Sequence, residues 1–275
     1  MSYATLMVHM ELGRPNTGLL GITAGLAERF GAGVIGVAAR QPMPMLYAAD
    51  YAAGELYVQD LDETAKEFKA AEEEFRAALE GRVPFVEWRS ARICTYPTDY
   101  FADEARCADL VLTCVATGDL FDASRAVNTG DLIMQTGRPV LIVPAAATTL
   151  KLDRVLVGWK DTRETRRAVS DALPLIKLAT RVSVVEIAAE ESLGEAERHV
   201  HDVVAWLQRH HVNAEGSALR STGDDVTALY AFGQDKGTDV VVAGAYGHSR
   251  FREWVLGGVT RDLLLSANRF SIVSH

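Results

Sequence analysis

The residues best suited to chemistry lie in one stretch, Asp239-Val-Val-Val-Ala-Gly-Ala-Tyr-Gly-His-Ser-Arg-Phe-Arg-Glu-Trp-Val-Leu-Gly-Gly-Val-Thr260. An apolar run of strand length, Val240 to Ala243, ends in Gly244, with Gly247 three residues on. Gly257-Gly258 follows a polar loop, and a helical pattern runs from Val259 to Ala267. Strand, glycine loop and helix in this order build an anion pocket. Glycines let the backbone approach a phosphate closely, and the free N–H groups of the helix start point at it. The stretch is expected to hold a nucleotide, with the rest of the chain as its support.

Other reactive side chains are weaker candidates. Gly247-His-Ser249-Arg-Phe has the outline of a nucleophile elbow, but Phe251 stands where its last glycine belongs. Ser249 and His248 are therefore expected to be loop or phosphate neighbours rather than nucleophile and base. Arg250 and Arg252 flank the loop and suit either phosphate or solvent, while Trp254, Val255 and Leu256 suit packing. No Gly-Lys-[Ser/Thr] places a lysine over β- and γ-phosphates. Efficient phosphoryl transfer also needs an oriented metal and a group that positions the nucleophile. Asp161, Glu186 and Glu253 are acids of the right kind, and no spacing selects one. Rapid turnover is not expected; slow hydrolysis or self-phosphorylation stays open. His199 and His201 lie about 200° apart around a helix and cannot share a metal. His210-His211 ends that helix, where cations suit the dipole. Cys94, Cys107 and Cys114 follow no metal-ligand spacing, and the last two, in or beside an apolar run, are expected to be buried thiols.

Composition narrows the partners. The chain has 275 residues, 48% of them hydrophobic, enough for one large domain or two ordinary ones. A net charge of −9 argues against nucleic acid. Residues 1–147 carry 12 Lys/Arg and 20 Asp/Glu, and the remainder 16 and 17, so a polyanion is repelled less by the half that holds the glycine loop. No run approaches the roughly 18 apolar residues of a membrane span. Met1-Ser-Tyr-Ala-Thr does not read as a secretory signal, and the unpatterned cysteines suit a reducing cytoplasm.

The elements that must position the loop alternate. Thr5 to Met10 reads as a strand, and Arg14-Pro-Asn-Thr opens a helix with Leu19, Leu20, Ile22, Thr23, Leu26 and Phe30 inward. Val34 to Ala39 is a second strand. Residues 41–57 form a long apolar and aromatic connection, either a lid or partner surface or a segment packed over its own domain. A charged helix spans Asp60 to Glu80 with Leu61, Ala65, Phe68, Phe75 and Leu79 as its apolar stripe and its acids on a solvated face. Phe85 to Trp88, Asp109 to Cys114 and Arg138 to Pro144 complete five strands, with helices around Tyr100 to Cys107 and near Leu132. After the bland linker 145–149 the order repeats. Strands near Arg154–Gly158, Arg181–Ile187, Ala214–Leu219, Asp239–Ala243 and Arg269–His275 alternate with helices at Thr162–Leu178 (Pro174 suggesting a kink), Glu195–His210 and Asp224–Asp235. The ends align: Asp109-Leu-Val-Leu with Asp239-Val-Val-Val, and Arg138-Pro-Val-Leu-Ile-Val with Arg269-Phe-Ser-Ile-Val. The chain thus reads as a tandem duplication, 1–147 and 152–275, of a doubly wound parallel sheet whose ligands bind beyond the C-terminal strand ends.

Together these features resemble a tandem universal stress protein, two copies of that family's domain across nearly the whole chain. The most specific element is the motif of Gly, two residues, Gly, nine residues, then Gly and a small residue, here Gly244, Gly247, Gly257 and Gly258. Val155-Leu-Val-Gly-Trp-Lys-Asp-Thr-Arg-Glu-Thr is similar to the family's first strand and turn. The resemblance implies an adenine nucleotide alpha hydrolase-like α/β fold with two five-stranded sheets of order 3-2-1-4-5, paired through their fifth strands. It also implies ATP, with or without Mg²⁺, held on the glycine loop by Gly244, Gly247, His248, Ser249, Gly257, Gly258, Val259 and Thr260. Adenosine would then lie against Gly158, Trp159, Lys160, Ile187 and Ala243 at the strand ends. Two residues depart from the family pattern. Gly258 lacks the hydroxyl often found there, and Lys160 replaces an acid that would accept a ribose hydroxyl bond; a lysine pointing inward would pair with a phosphate instead. In the first half Glu11 keeps the acidic position, but Thr113 and Ala116 replace the first two motif glycines. Asp119 and Asp122 would each repel a neighbouring phosphate by about 1 kcal/mol. The first half is expected to be a structural partner without ATP. Three functions remain: an ATP-binding stress regulator that turns over slowly or not at all, an interaction module without nucleotide, and an enzyme acting under the 41–57 segment. Association of two chains into a homodimer is left open.

Overall fold

The structure, a computed structural model, describes residues 2–42, 51–114, 127–245 and 269–275. The segments 43–50 and 115–126, the latter with Ala116, Asp119 and Asp122, and the stretch 246–268 lie outside the described residues. That last stretch includes Gly247, His248, Ser249, Arg250, Arg252, Glu253, Trp254, Gly257, Gly258, Val259 and Thr260. The chain divides into two compact units, Tyr3–Thr136 and Gly137–His275, the latter joined by Met1–Ser2.

In the N-terminal unit, β1 (Thr5–His9), β2 (Gly33–Arg40) and β4 (Leu110–Cys114) are almost wholly buried apolar runs, as parallel strands covered on both faces require. With β3 (Val86–Arg92) they pair in the order β3-β2-β1-β4, all parallel. Between them run α1 (Thr17–Phe30), α2 (Tyr51–Leu79) and α3 (Pro97–Glu104), and α4 (Thr129–Thr136) follows β4. Gly31 ends α1 in the left-handed region, φ 63°, and its N–H and that of Ala32 close on carbonyls of the last turn.

Two element boundaries shift, and two residues expected inward are exposed. The charged helix begins at Tyr51 rather than Asp60, so the second half of the 41–57 connection is helical. Ala and Leu carry the helix through Gly54, which no packing contact requires to be glycine. The buried positions of α2 are Thr64, Ala71, Phe75 and Leu79; Ala65 is exposed. The third strand is longer than Phe85–Trp88, and Cys107 is exposed at the end of a 3-10 turn instead of buried, as is Cys94.

The C-terminal unit contains β5 (Val140–Val143), β6 (Arg154–Trp159), α5 (Arg163–Ile176), β7 (Arg181–Ala188), α6 (Leu193–Arg209), β8 (Ala214–Arg220), α7 (Asp225–Asp235), β9 (Val240–Gly244) and β10 (Phe270–Ser274). Its order is β5-β10-β9-β6-β7-β8. From β8 to β10 this is 3-2-1-4-5, all parallel, and β5 adds antiparallel to β10 with Ile272 opposite Leu141. Helices cover both faces: α5 and α6 one, α7 the other. Each unit pins the start of its first strand in the same way. Asp109 Oδ2 accepts the Ala4 and Thr5 amides at 2.7 and 3.0 Å, and Asp239 Oδ2 those of Asp153 and Arg154 at 3.0 and 2.9 Å.

Candidate functional site

Parallel pairing brings the C-terminal ends of β6, β7 and β9 together. Gly158 lies in register between Val185 and Ala243, and Trp159 beside Glu186. Because side chains alternate along a strand, these residues divide between two faces. Ala243 and Ile187 join Leu156, Val185 and Val241 beneath Leu229 of α7. Trp159, Glu186 and Gly244 occupy the other face, under α5 and α6. The described part of the expected site, Gly158, Trp159, Lys160, Ile187, Ala243 and Gly244, is thus one strand edge, not one pocket wall.

Gly244 is required by packing. A Cβ there would lie 2.5 Å from the Thr165 amide nitrogen and 2.7 Å from the Glu164 carbonyl carbon, closer than any real side chain stands to backbone. Only glycine lets the first turn of α5 sit this near the end of β9. Gly158 is different: its nearest neighbour would be Leu229 Cδ2 at 3.4 Å, ordinary contact.

The turn after β6 is held locally. Thr162 caps α5, its hydroxyl accepting the Thr165 amide, and its own N–H reaches Lys160 O at 2.6 Å. Asp161 Oδ1 accepts from Nε and Nη2 of Arg166 at 3.1 and 2.9 Å. Glu164, only 4% exposed, is paired with Arg163. Burial would raise its carboxyl, but the Arg163 guanidinium, its own N–H and the Thr162 hydroxyl hold it below the usual range. Lys160 points outward, exposed, and its ammonium has no partner among the described residues.

Sequence reasoning missed a pair here. Glu186 is buried at the end of β7, and His199 Nδ1 of α6 lies 3.2 Å from Oε2. Burial pushes the Glu186 carboxyl up, His199 opposes this, and Asp161 and Glu195 add to it. His199 lies nearly two turns into α6, a relation to β7 that neither local spacing nor a metal motif encodes. Among the described residues no group of three or more His, Cys, Asp or Glu side chains is arranged for a metal ion.

The same edge of the N-terminal unit is filled. His9 takes the place of Gly158 and Thr113 that of Ala243; His9 Nδ1 and Thr113 Oγ1 are 2.9 Å apart, and Phe101 meets the His9 ring edge-on at 4.5 Å. Burial drops the His9 pKa to about 4. Cys114, not Thr113 as the sequence alignment expects, stands in the place of Gly244, because the strand registers match Leu112 with Val242. Its thiol is pushed up to about 11 by burial and then by Glu11, whose own carboxyl burial raises. Two acids of α2, expected on a solvated face, turn inward. Glu74 accepts the Asn16 amide at 2.9 Å and the Thr17 hydroxyl at 3.1 Å, at the start of α1. Glu67 pairs with Arg40 at the end of β2, and its Oε1 lies 2.6 Å from where a Cβ on Gly13, φ 74°, would be. Glu67, Ala71 and Glu74 share the packed face of α2 by helical spacing, which is why these acids are not solvated.

No protein-family model matches the chain. No curated protein matches it. Solved structures do. A universal stress protein from Archaeoglobus fulgidus DSM 4304 superposes with a TM-score of 0.66 at 13% identity, over 98% of this chain and 95% of that one. A functionally unknown protein from Pseudomonas aeruginosa PAO1 gives 0.61 at 13%, over 99% and 92%. The cytoplasmic domain of a prokaryotic cation chloride cotransporter gives 0.51 at 14%, over 98% and 94%. Among the described residues no helix is long and apolar enough to cross a membrane. The chain carries the universal stress protein fold over nearly its whole length.

Proposed function

We propose that the protein is a cytoplasmic stress-response regulator of the universal stress protein family, binding ATP or a related adenine nucleotide in its C-terminal unit. The observation that carries this is the contrast in side-chain volume at equivalent strand ends. Gly158 and Ala243 carry little or no side chain at the strand ends where His9 and Thr113 stand in the N-terminal unit, and Gly244, where that unit has Cys114, is taken up by the close approach of α5. The only glycine motif of the chain continues directly from Gly244. Gly158, Trp159, Lys160, Ile187 and Ala243 would border the nucleoside. Gly247, His248, Ser249, Gly257, Gly258, Val259 and Thr260 would hold the phosphates, with Mg²⁺ arriving on the nucleotide. Bound ATP supplies a phosphoanhydride, and these residues bind and orient it. The acids near the strand ends are already engaged, Asp161 by Arg166 and Glu186 by His199, so regulation is favoured over rapid turnover.

The test is thermal unfolding with ATP and magnesium. At 100 times its dissociation constant ATP should stabilise the native protein by about 2.7 kcal/mol. Gly247→Val should remove that shift without lowering the unfolding temperature of the free protein. No shift for the unaltered protein at millimolar ATP would end the proposal.

A further inference from the structure

Trp159 closes β6, and its indole N–H is buried with no hydrogen-bond partner among the described residues. Buried donors are nearly always paired, so an orphan marks a place where an acceptor is to be supplied. The strand register sets this indole beside Glu186, on the face covered by α5 and α6. The surroundings are acidic: Asp161 and Glu195 both act on Glu186, with His199 alone opposing them. A phosphate is repelled there, whereas an uncharged oxygen or ring nitrogen is not. Lys160, the next residue, is exposed. The end of β6 therefore offers donors where an acidic residue would have offered acceptors.

We propose that Trp159 determines ligand specificity, its Nε1–H donating to an uncharged acceptor on the nucleoside part of the ligand while the phosphates lie away from this face. The proposal rests on the adenine-nucleotide reading. It names the donor at the base-and-sugar end and gives a role to the bulky residue that follows Val155, Leu156, Val157 and Gly158 in the strand.

Isothermal titration of the full chain and of Trp159→Phe with ATP, adenosine and tripolyphosphate tests it. Phenylalanine keeps the ring and removes the N–H. Adenosine and ATP should both weaken by the same factor, roughly tenfold for one neutral hydrogen bond, and tripolyphosphate should be unaffected. Equal adenosine affinity in the two proteins overturns the assignment, as does a loss that follows the phosphate chain. If the unaltered protein binds none of the three, the nucleotide reading itself fails and this inference with it. Should Trp159→Phe not fold, the unaltered protein labelled with ¹⁵N-tryptophan decides. Adenosine must shift one indole N–H resonance downfield, and that resonance must persist in Trp88→Phe, Trp206→Phe and Trp254→Phe. An unmoved set of indole signals overturns the proposal.

Discussion

The two units end their central strand pair in opposite ways. In one, His9 and Thr113 bond across the ends of β1 and β4, with Cys114 next in line. In the other, Gly158 and Ala243 pair across β6 and β9, with Gly244 next. The strands beneath are alike in length, direction and burial. One fold therefore tolerates either a filled or a bare edge, and the choice rests on a few side chains rather than on architecture. The filled edge is further closed by α2, whose Glu67 and Glu74 already satisfy Arg40 and the start of α1. A carboxylate at that helix start occupies the place an anionic ligand would take.

The largest effect should come from filling the bare edge where it is tightest. In Gly244→Val the new side chain meets backbone atoms of Glu164 and Thr165, which cannot rotate away. We expect a loss of about 4 kcal/mol or failure of the C-terminal unit to fold, read by chemical denaturation. Cys114→Val at the equivalent position, already occupied by a side chain, should cost far less. Similar losses at both positions would mean that the contrast is not one of packing space.

Next in size is the acid response of His9. Its folded pKa is about 4 against an ordinary 6.5, so between these values the unfolded chain binds a proton that the folded one refuses. Stability from this group is complete above pH 6.5 and falls as the pH drops toward 4, by about 3 kcal/mol in all. Hydrogen exchange of the Leu6, Met7 and Val8 amides should accelerate across that window. His9→Gln should flatten the dependence, whatever its effect at neutral pH. The C-terminal unit has glycine in this place and should lack the step. A slope unchanged by His9→Gln would place the acid-sensitive group elsewhere.

Much of this was legible in the residues. Buried parallel strands announce themselves as apolar runs, and Asp109 and Asp239 aligned before their identical amide contacts were visible. Gly244 stood out by type, and the structure shows the first turn of α5 packed close against it. What escaped depends on register or on a helix's rotation. Trp159 lies beside Glu186 only because β6 and β7 pair with that offset, and Glu186 meets His199 only across the packed face of α6. Glu67 and Glu74 look like other acids of α2 until Ala71 and Phe75 fix which side is inward. The start of α2 was hidden because Tyr, Ala and Leu suit a packed loop as well as a first turn.

The smallest structural effect, and the finest probe of the contrast, belongs to Gly158→Ala. The added methyl would touch Leu229 at 3.4 Å and Val242 O at 3.9 Å, so it fits with little movement. Alanine also costs less backbone entropy than glycine in a strand, and the two terms should leave stability within about 0.5 kcal/mol of the unaltered protein. A methyl at that point nevertheless narrows the approach to the β6–β9 edge, so the ATP-induced thermal shift should shrink while the free protein's midpoint stays put. Gly158→His with Ala243→Thr extends the series by rebuilding the pair seen in the other unit, and it should abolish the shift. Should the shift survive both changes, the bare edge and the nucleotide are unrelated, and the difference between the units is one of packing alone.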